Sequence, residues 1–211
     1  MWHERWPSRL WRKCALASAY FFTIVTAYYI MKPVRSALVI SDLGSERLPY
    51  LYLLTALILG GLVAGYTRLM RRVGPWPLMQ AVLVGLTINL ALFCWALPHA
   101  IGWVSGLFYL WVSLFSVIAV TQFWMVADDF FSMDEAKRCF GLIGASGIAG
   151  GIAGSATASL LAGWVRTADL LLVAAGLLGV CAVLLRLMRA VAQGEPARAA
   201  QGKPDRTPLD S

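Results

Sequence analysis

Charge is what this sequence has least of. Only 14% of its 211 residues are charged, against roughly a quarter in a soluble domain, and that shortfall excludes an ordinary water-solvated core. Acidic residues are the scarcer sign, 11 against 18 basic, which leaves a net charge of +7 and a pI near 9.5. In a soluble chain that excess would point to nucleic acid, but here the basic residues are dispersed between long apolar runs and form no stripe, so no nucleic-acid partner is expected. Cysteine is sparse too: Cys14, Cys94, Cys139 and Cys181 stand singly in or beside apolar runs, without a CxxC spacing. That excludes a disulfide framework or a zinc site on spacing grounds and makes them small packing residues. The two histidines, His3 and His99, lie far apart with no ligand-spaced carboxylate or cysteine beside them, so no metal site is expected. Ser/His/Asp sets, paired catalytic carboxylates and an activated cysteine are all missing. The chain therefore reads as non-enzymatic, with no cofactor.

What is abundant is apolar length: 59% of the residues are hydrophobic. A transmembrane helix needs about 20 mostly apolar residues, and six stretches qualify, over 14–38, 50–67, 76–97, 101–127, 140–164 and 168–188. The reading is an all-α polytopic membrane bundle in a lipid bilayer. It has a short N-terminal segment (1–13), a six-helix domain (14–190) and a polar Gly/Pro/Ala tail (191–211) with the composition of a disordered end. The first apolar stretch is too long for a signal peptide and precedes no cleavage motif, so it is expected to stay in the membrane. Fourteen of the 18 basic residues fall in the N-terminus, the second-to-third and fourth-to-fifth loops and the tail; Lys32, Arg35, Arg47 and Arg166 make up the other side. The positive-inside rule then predicts a multi-pass inner-membrane protein with both termini in the cytoplasm. Trp76, Trp95, Trp103 and Trp164 sit near span ends, where interfacial tryptophans belong.

Lys32 and Arg35 interrupt a sequence that is otherwise apolar from Cys14 to Ile40, with Pro33 beside them. Two readings fit. Either a proline-kinked helix carries both cations on one face as a site for an anionic ligand, or the helix ends near Met31 and both snorkel to the outer interface. Asn89, Thr121 and Gln122 are expected to face the bundle interior, as helix-to-helix hydrogen-bonding groups or as ligand contacts.

In the fifth span, Gly147/Gly151 and Gly150/Gly154 form overlapping GxxxG pairs, which permit close helix approach, either as a sliding surface or as static packing. Replacing Gly151 with leucine is expected to lower folded yield or assembly. The glycine series lacks the GK[ST] of a phosphate loop, so no nucleotide-hydrolysing site is expected. Ahead of it, Asp128, Asp129, Asp134 and Glu135 face Lys137 and Arg138, with Arg68, Arg71 and Arg72 in the preceding basic loop. These groups would either make gate-closing ion pairs or form a solvated amphipathic turn.

Three stretches, YYIMKPVRSALVISDLG with the following LPYLYLL, GYTRLMRRVG, and FWMVADDFFSMDEAKRCFGLIGASGIAGGIAG, resemble the bacterial nucleotide (ATP/ADP) translocases, a group in or near the major facilitator superfamily. The resemblance runs from Tyr20 to about Arg189 and covers only the N-terminal six-helix half of that fold. It implies a secondary transporter in a bacterial inner membrane, moving a small anionic, nucleotide-like or phosphorylated solute by alternating access. Lys32 and Arg35 match the family's basic residues of the first helix, and Ser36 stands where an acidic residue is expected. A half of this kind would work as a homodimer or with a separate second six-helix half. The competing readings are a non-transporting membrane binding or assembly module and a truncated, inactive product.

Overall fold

The computed structural model describes residues 8–97, 102–165 and 167–193, so His3, His99, Arg166 and the tail from 194 onward lie outside the described residues, as does the Arg71 side chain. Six helices account for nearly all of it: α1 (Ser8–Leu43), α2 (Leu48–Val73), α3 (Pro75–Ala96), α4 (Trp103–Phe130), α5 (Met133–Leu161) and α6 (Thr167–Gln193), with a 3-10 turn at Ser45–Arg47 between the first two. All six are long and apolar enough to cross a membrane.

The punctuation between helices is chemically legible. Gly44 and Gly74 adopt φ of 85° and 83°, a region that side chains disfavour, and so separate α1 from α2 and α2 from α3. Pro75 opens α3, where its missing N–H costs nothing. Ser132 opens α5 with a capping box: its hydroxyl accepts from the Glu135 amide at 3.4 Å, and Glu135 Oε2 accepts from the Ser132 amide at 2.9 Å. Two helix ends run past their expected limits, because α1 starts at Ser8, inside the segment expected to precede the membrane domain, and α6 continues to Gln193.

α1 is the centre of the bundle. It packs most extensively on α5, then on α6 and α4, while α3 bridges α6 and α4. α1 and α5 run parallel, since contacts step along both in register: Lys13 with Glu135, Cys14 with Cys139, Phe21 with Gly147, Thr26 with Gly150 and Gly154. Aromatic rings fill the core beside this seam, with Phe21 and Phe123 stacked at 4.5 Å and Trp124 edge-on to both Phe123 and Phe140. Hydroxyls inside the helices satisfy themselves: Thr23, Thr55, Thr87 and Thr157 each donate to the carbonyl four residues earlier, which removes a donor that hydrocarbon could not satisfy. By contrast α2 is almost entirely exposed, and Gly60, Gly61 and Gly65 have open space where a Cβ would lie.

One sequence expectation is overturned here. Cys14 and Cys139 are disulfide-bonded, both fully buried, with Cα atoms 5.5 Å apart. A partner 125 residues away leaves no trace in local spacing; it arises only from the parallel register of α1 and α5. Cys94 and Cys181 are free, in keeping with a packing role.

Candidate functional site

α1 does not stop near Met31. It continues as helix through Pro33 to Leu43, so neither Lys32 nor Arg35 stands at a helix end, and of the two Arg35 is buried while Lys32 is exposed. Their expected common face splits, however. Three residues turn a helix by about 300°, which leaves the two side chains ~60° apart. α4 takes up one side and α5 the other.

Arg35 turns toward α4 and is only 7% exposed. Its guanidinium lies 4.6 Å from the centre of the Tyr109 ring, and Nη1 donates to the Ser113 hydroxyl at 2.5 Å. Ser113 spends its own proton on the Tyr109 carbonyl at 2.7 Å, so its oxygen is free to accept from Arg35. Tyr52 of α2 packs edge-on against Tyr109, with ring centres 5.8 Å apart. Among the described residues Arg35 has no carboxylate partner, and its Nε has no hydrogen-bond partner. A buried guanidinium held by a ring face and one hydroxyl keeps donor capacity that an anion would use, in the planar fork geometry that suits phosphate or carboxylate.

Lys32 is exposed on the other side, its Nζ 5.1 Å from the Tyr29 ring centre. It lines a hollow of about 450 Å³ between α1 and α5, with Tyr29, Ser36, Ser155 and Ser159. That hollow adjoins a second of about 700 Å³ lined by Phe21, Val25, Tyr29, Gly147, Gly151 and Ser155. The two share Tyr29 and Ser155 and form one surface with a cation, an aromatic ring and hydroxyls along it. Pro33 sits between Lys32 and its neighbouring hollow on the far side, within an uninterrupted helix.

The other expected contacts separate. Gln122 is 3% exposed on α4, lies against the Tyr66 hydroxyl of α2, and leaves its Nε2 without a partner. Asn89 and Thr121, expected to face inward, are exposed. Asn89 donates from Nδ2 to the Gly85 carbonyl of its own helix at 2.8 Å, which answers part of its polarity locally.

Among the described residues the acidic turn ahead of α5 reaches three neighbours, Lys13, Trp76 and Lys137. Glu135 faces α1: its carboxylate lies 3.3 Å from Lys13 Nζ, a lysine whose side chain is 3% exposed and which also donates to the Phe130 carbonyl at 3.4 Å. Asp129 accepts from Trp76 Nε1 at 2.6 Å, and Lys137 pairs with Asp134 at 3.8 Å along its own helix. Arg68 and Arg72 are exposed and form no ion pair among the described residues, and Asp128 is exposed as well. Because the capping box already holds the Glu135 carboxylate in place, Lys13 meets a preorganised partner. Glu135→Gln removes the carboxylate that faces the buried Lys13 ammonium and is expected to cost about 3 kcal/mol. The check is the thermal unfolding midpoint of purified protein in detergent, with Asp134→Asn, an exposed pair, as the near-neutral comparison.

The glycines also divide. A Cβ on Gly150 would lie 2.5 Å from the Phe22 carbonyl oxygen, and one on Gly154 would lie 2.6 Å from that of Thr26. At Gly147 it would collide with the Phe21 ring, whereas at Gly151 it would meet the Tyr29 ring only at 3.4 Å. Gly150 and Gly154, rather than Gly151, set the approach of the two backbones, and the Thr26 hydroxyl, donating to the Phe22 carbonyl at 2.7 Å, shares its proton with the Gly150 carbonyl at 3.2 Å.

Sequence reasoning missed Lys13, Tyr109, Ser113 and Tyr29. Ser132-x-x-Glu135 is a capping-box pattern that would have marked Glu135 as fixed, and Tyr109 and Ser113 sit four apart on one helical face.

Residues 77–172 match the family model described as TLC ATP/ADP transporter. The match begins in α3, takes in all of α4 and α5, and ends in the first turn of α6. It contains the DEAKR turn and the glycine series; the α1 cations lie outside it. No curated protein and no solved structure matches the chain. Taken with the six apolar helices, the match supports a multi-pass membrane protein with a nucleotide-transporter-like role.

Proposed function

We propose that this chain is one six-helix half of a major-facilitator-type secondary transporter in a bacterial inner membrane. It moves a small anionic solute, nucleotide-like or otherwise phosphorylated, by alternating access and without hydrolysing it. The observation that carries this is Arg35, more than nine-tenths buried and left with an unpartnered Nε while its guanidinium lies over the Tyr109 ring. Lys32, on the open α1/α5 surface, supplies a second positive charge at nearly the same height, ~4.5 Å along the axis. Tyr29, Tyr52 and Tyr109 add ring faces suited to a base or a cation-flanked anion.

A site between two halves needs a second half. The exposed α2 and the open α1/α5 groove supply the surface for it, either in a second copy of this chain or in a separate six-helix partner. The seam joining α1 to α5 is fastened by the cysteine pair, the Lys13–Glu135 contact and the Gly150/Gly154 approach, so these two helices move as one body and the rearrangement falls on surfaces other than theirs. The distribution of basic residues favours cytoplasmic termini.

The test is uptake of labelled ATP, ADP and smaller phosphorylated or carboxylated anions into proteoliposomes holding only this chain, with the oligomeric state measured in the same preparation. Saturable uptake by a dimer is the expected result. A well-folded monomer that neither binds nor moves any of these anions would reject the reading.

A further inference from the structure

A second basic site lies at the opposite end of α1 from the tyrosine cluster. Arg9, Arg12 and Lys13 at the start of α1, and Leu187, Ala190 and Val191 at the end of α6, enclose a groove of about 610 Å³ completed by Ala15 and Leu16. Lys13 is committed to Glu135, but Arg9 and Arg12 are exposed and have no ion-pair partner among the described residues. Among the described residues no carboxylate lines the groove.

Its polarity is graded along one direction. On α1 the arginines at 9 and 12 come first and Leu16 follows about two turns deeper, ~10 Å along the axis from Arg9. On α6, which approaches from the other side, the lining runs from Val191 back to Leu187 toward the same apolar interior. Cations at the mouth and an apolar wall running inward from them match one molecule that every membrane supplies: a phospholipid with its phosphate at the surface and its acyl chain along the helices. Two arginines in the lining favour a headgroup without its own compensating cation. Basic pockets between transmembrane helices bind such headgroups, each arginine near the surface contributing about a fivefold gain for an anionic lipid.

We propose that the groove between the start of α1 and the end of α6 is a binding site for an anionic phospholipid, with Arg9 and Arg12 on the phosphate and Leu16, Leu187 and Val191 along an acyl chain. Such a lipid would clamp the end of α6 to the central helix at the level of the Lys13–Glu135 contact. This site is separate from the Lys32/Arg35 surface and does not depend on transport.

The full chain in a neutral detergent is titrated with dioctanoyl phosphatidylglycerol, dioctanoyl phosphatidylcholine, glycerol phosphate and inorganic phosphate, reading the thermal midpoint and the bound lipid by native mass spectrometry. Phosphatidylglycerol is expected to bind about 25-fold more tightly than phosphatidylcholine, about a fivefold gain from each of the two arginines. Arg9→Gln/Arg12→Gln should abolish that preference, and Arg47→Gln, a loss of one charge just beyond the other end of α1, should keep it. Ala190→Trp fills the apolar part and leaves both arginines, so it should weaken phosphatidylglycerol binding even if the double variant fails to fold. Equal binding of the two lipids by the wild type overturns the proposal, as does an unchanged preference in the folded variants. A midpoint shift from glycerol phosphate or inorganic phosphate that equals the one from phosphatidylglycerol and is lost in Arg9→Gln/Arg12→Gln means a free-anion site in the groove and overturns it as well.

Discussion

Gly150→Leu is expected to abolish folded protein. The Cβ alone would stand 2.5 Å from the Phe22 carbonyl oxygen, whereas a carbon and a carbonyl oxygen in contact sit about 3.3–3.6 Å apart. The obstacle is backbone at the middle of the most extensive helix pair in the bundle, so no side chain can rotate away. α1 and α5 would have to part by about 1 Å, loosening the Thr26 bond to Gly150 and the packing above and below it. Overpacking a tight core costs about 1–3 kcal/mol and more where the neighbour cannot yield, and a leucine adds three further carbons to the same collision. Gly154→Ala is expected to act in the same direction, since its Cβ meets the Thr26 carbonyl at 2.6 Å and the Tyr29 Cβ at 2.8 Å. Gly141→Ala has open space around it and sits on an exposed face. It should be neutral or stabilising by about 0.5–1 kcal/mol, the helix-propensity gain of alanine over glycine. The measurement is the monodisperse fraction and thermal midpoint of each variant after extraction. If Gly150→Leu and Gly141→Ala behave alike, α1 and α5 do not approach as closely as their contacts indicate.

The contrast among the glycines marks where sequence stops being legible. Overlapping GxxxG pairs announced that some helix comes close, and the six apolar runs announced the helices, because length and charge exclusion are local properties. Which glycine touches backbone depends on the register of α1 against α5, which no local pattern carries, and the same register decides the Cys14–Cys139 pair. Inward and outward faces were also obscure, for a physical reason. In a soluble helix the outer face is polar and periodicity separates it from the core, but in a membrane both faces are apolar. Gln122 is buried because it shares a face with Phe115, Ala119 and Val126; Thr121, one residue earlier, is turned about 100° away and exposed. Asn89 stands beside the buried Leu90 and misses the core by the same rotation. Lys32 and Arg35 were legible as an anomaly, two cations in an apolar run, and α1 does carry them past Met31. Their separation onto two sides of the helix was not legible, since it needs α4 and its Tyr109.

That separation predicts unequal mutant phenotypes. Arg35→Ala is expected to remove at least about 2 kcal/mol of anion binding, a loss of roughly 30-fold in affinity or more, because charge-assisted hydrogen bonds in a desolvated setting are the strong ones. Lys32→Ala, from an exposed position beside Tyr29, should cost about 1 kcal/mol or less, as a screened charge does. Arg35→Lys separates charge from geometry. It keeps the positive charge but loses the planar fork that lies on Tyr109 while donating to Ser113, so it should resemble Arg35→Ala more than wild type. A folding defect would blur this result, and the burial of Arg35 makes the control specific: the thermal midpoint of each variant is recorded without anion and then with ATP, ADP or a simple phosphate ester. Removing a buried cation that has no carboxylate partner relieves a desolvation penalty, so the midpoint without anion should hold or rise in Arg35→Ala, while the rise on adding anion disappears. Were the anion-dependent rise to survive in Arg35→Ala and vanish in Lys32→Ala, the solute would lie in the open α1/α5 groove, and Arg35 would be a structural cation bracing α1 against α4.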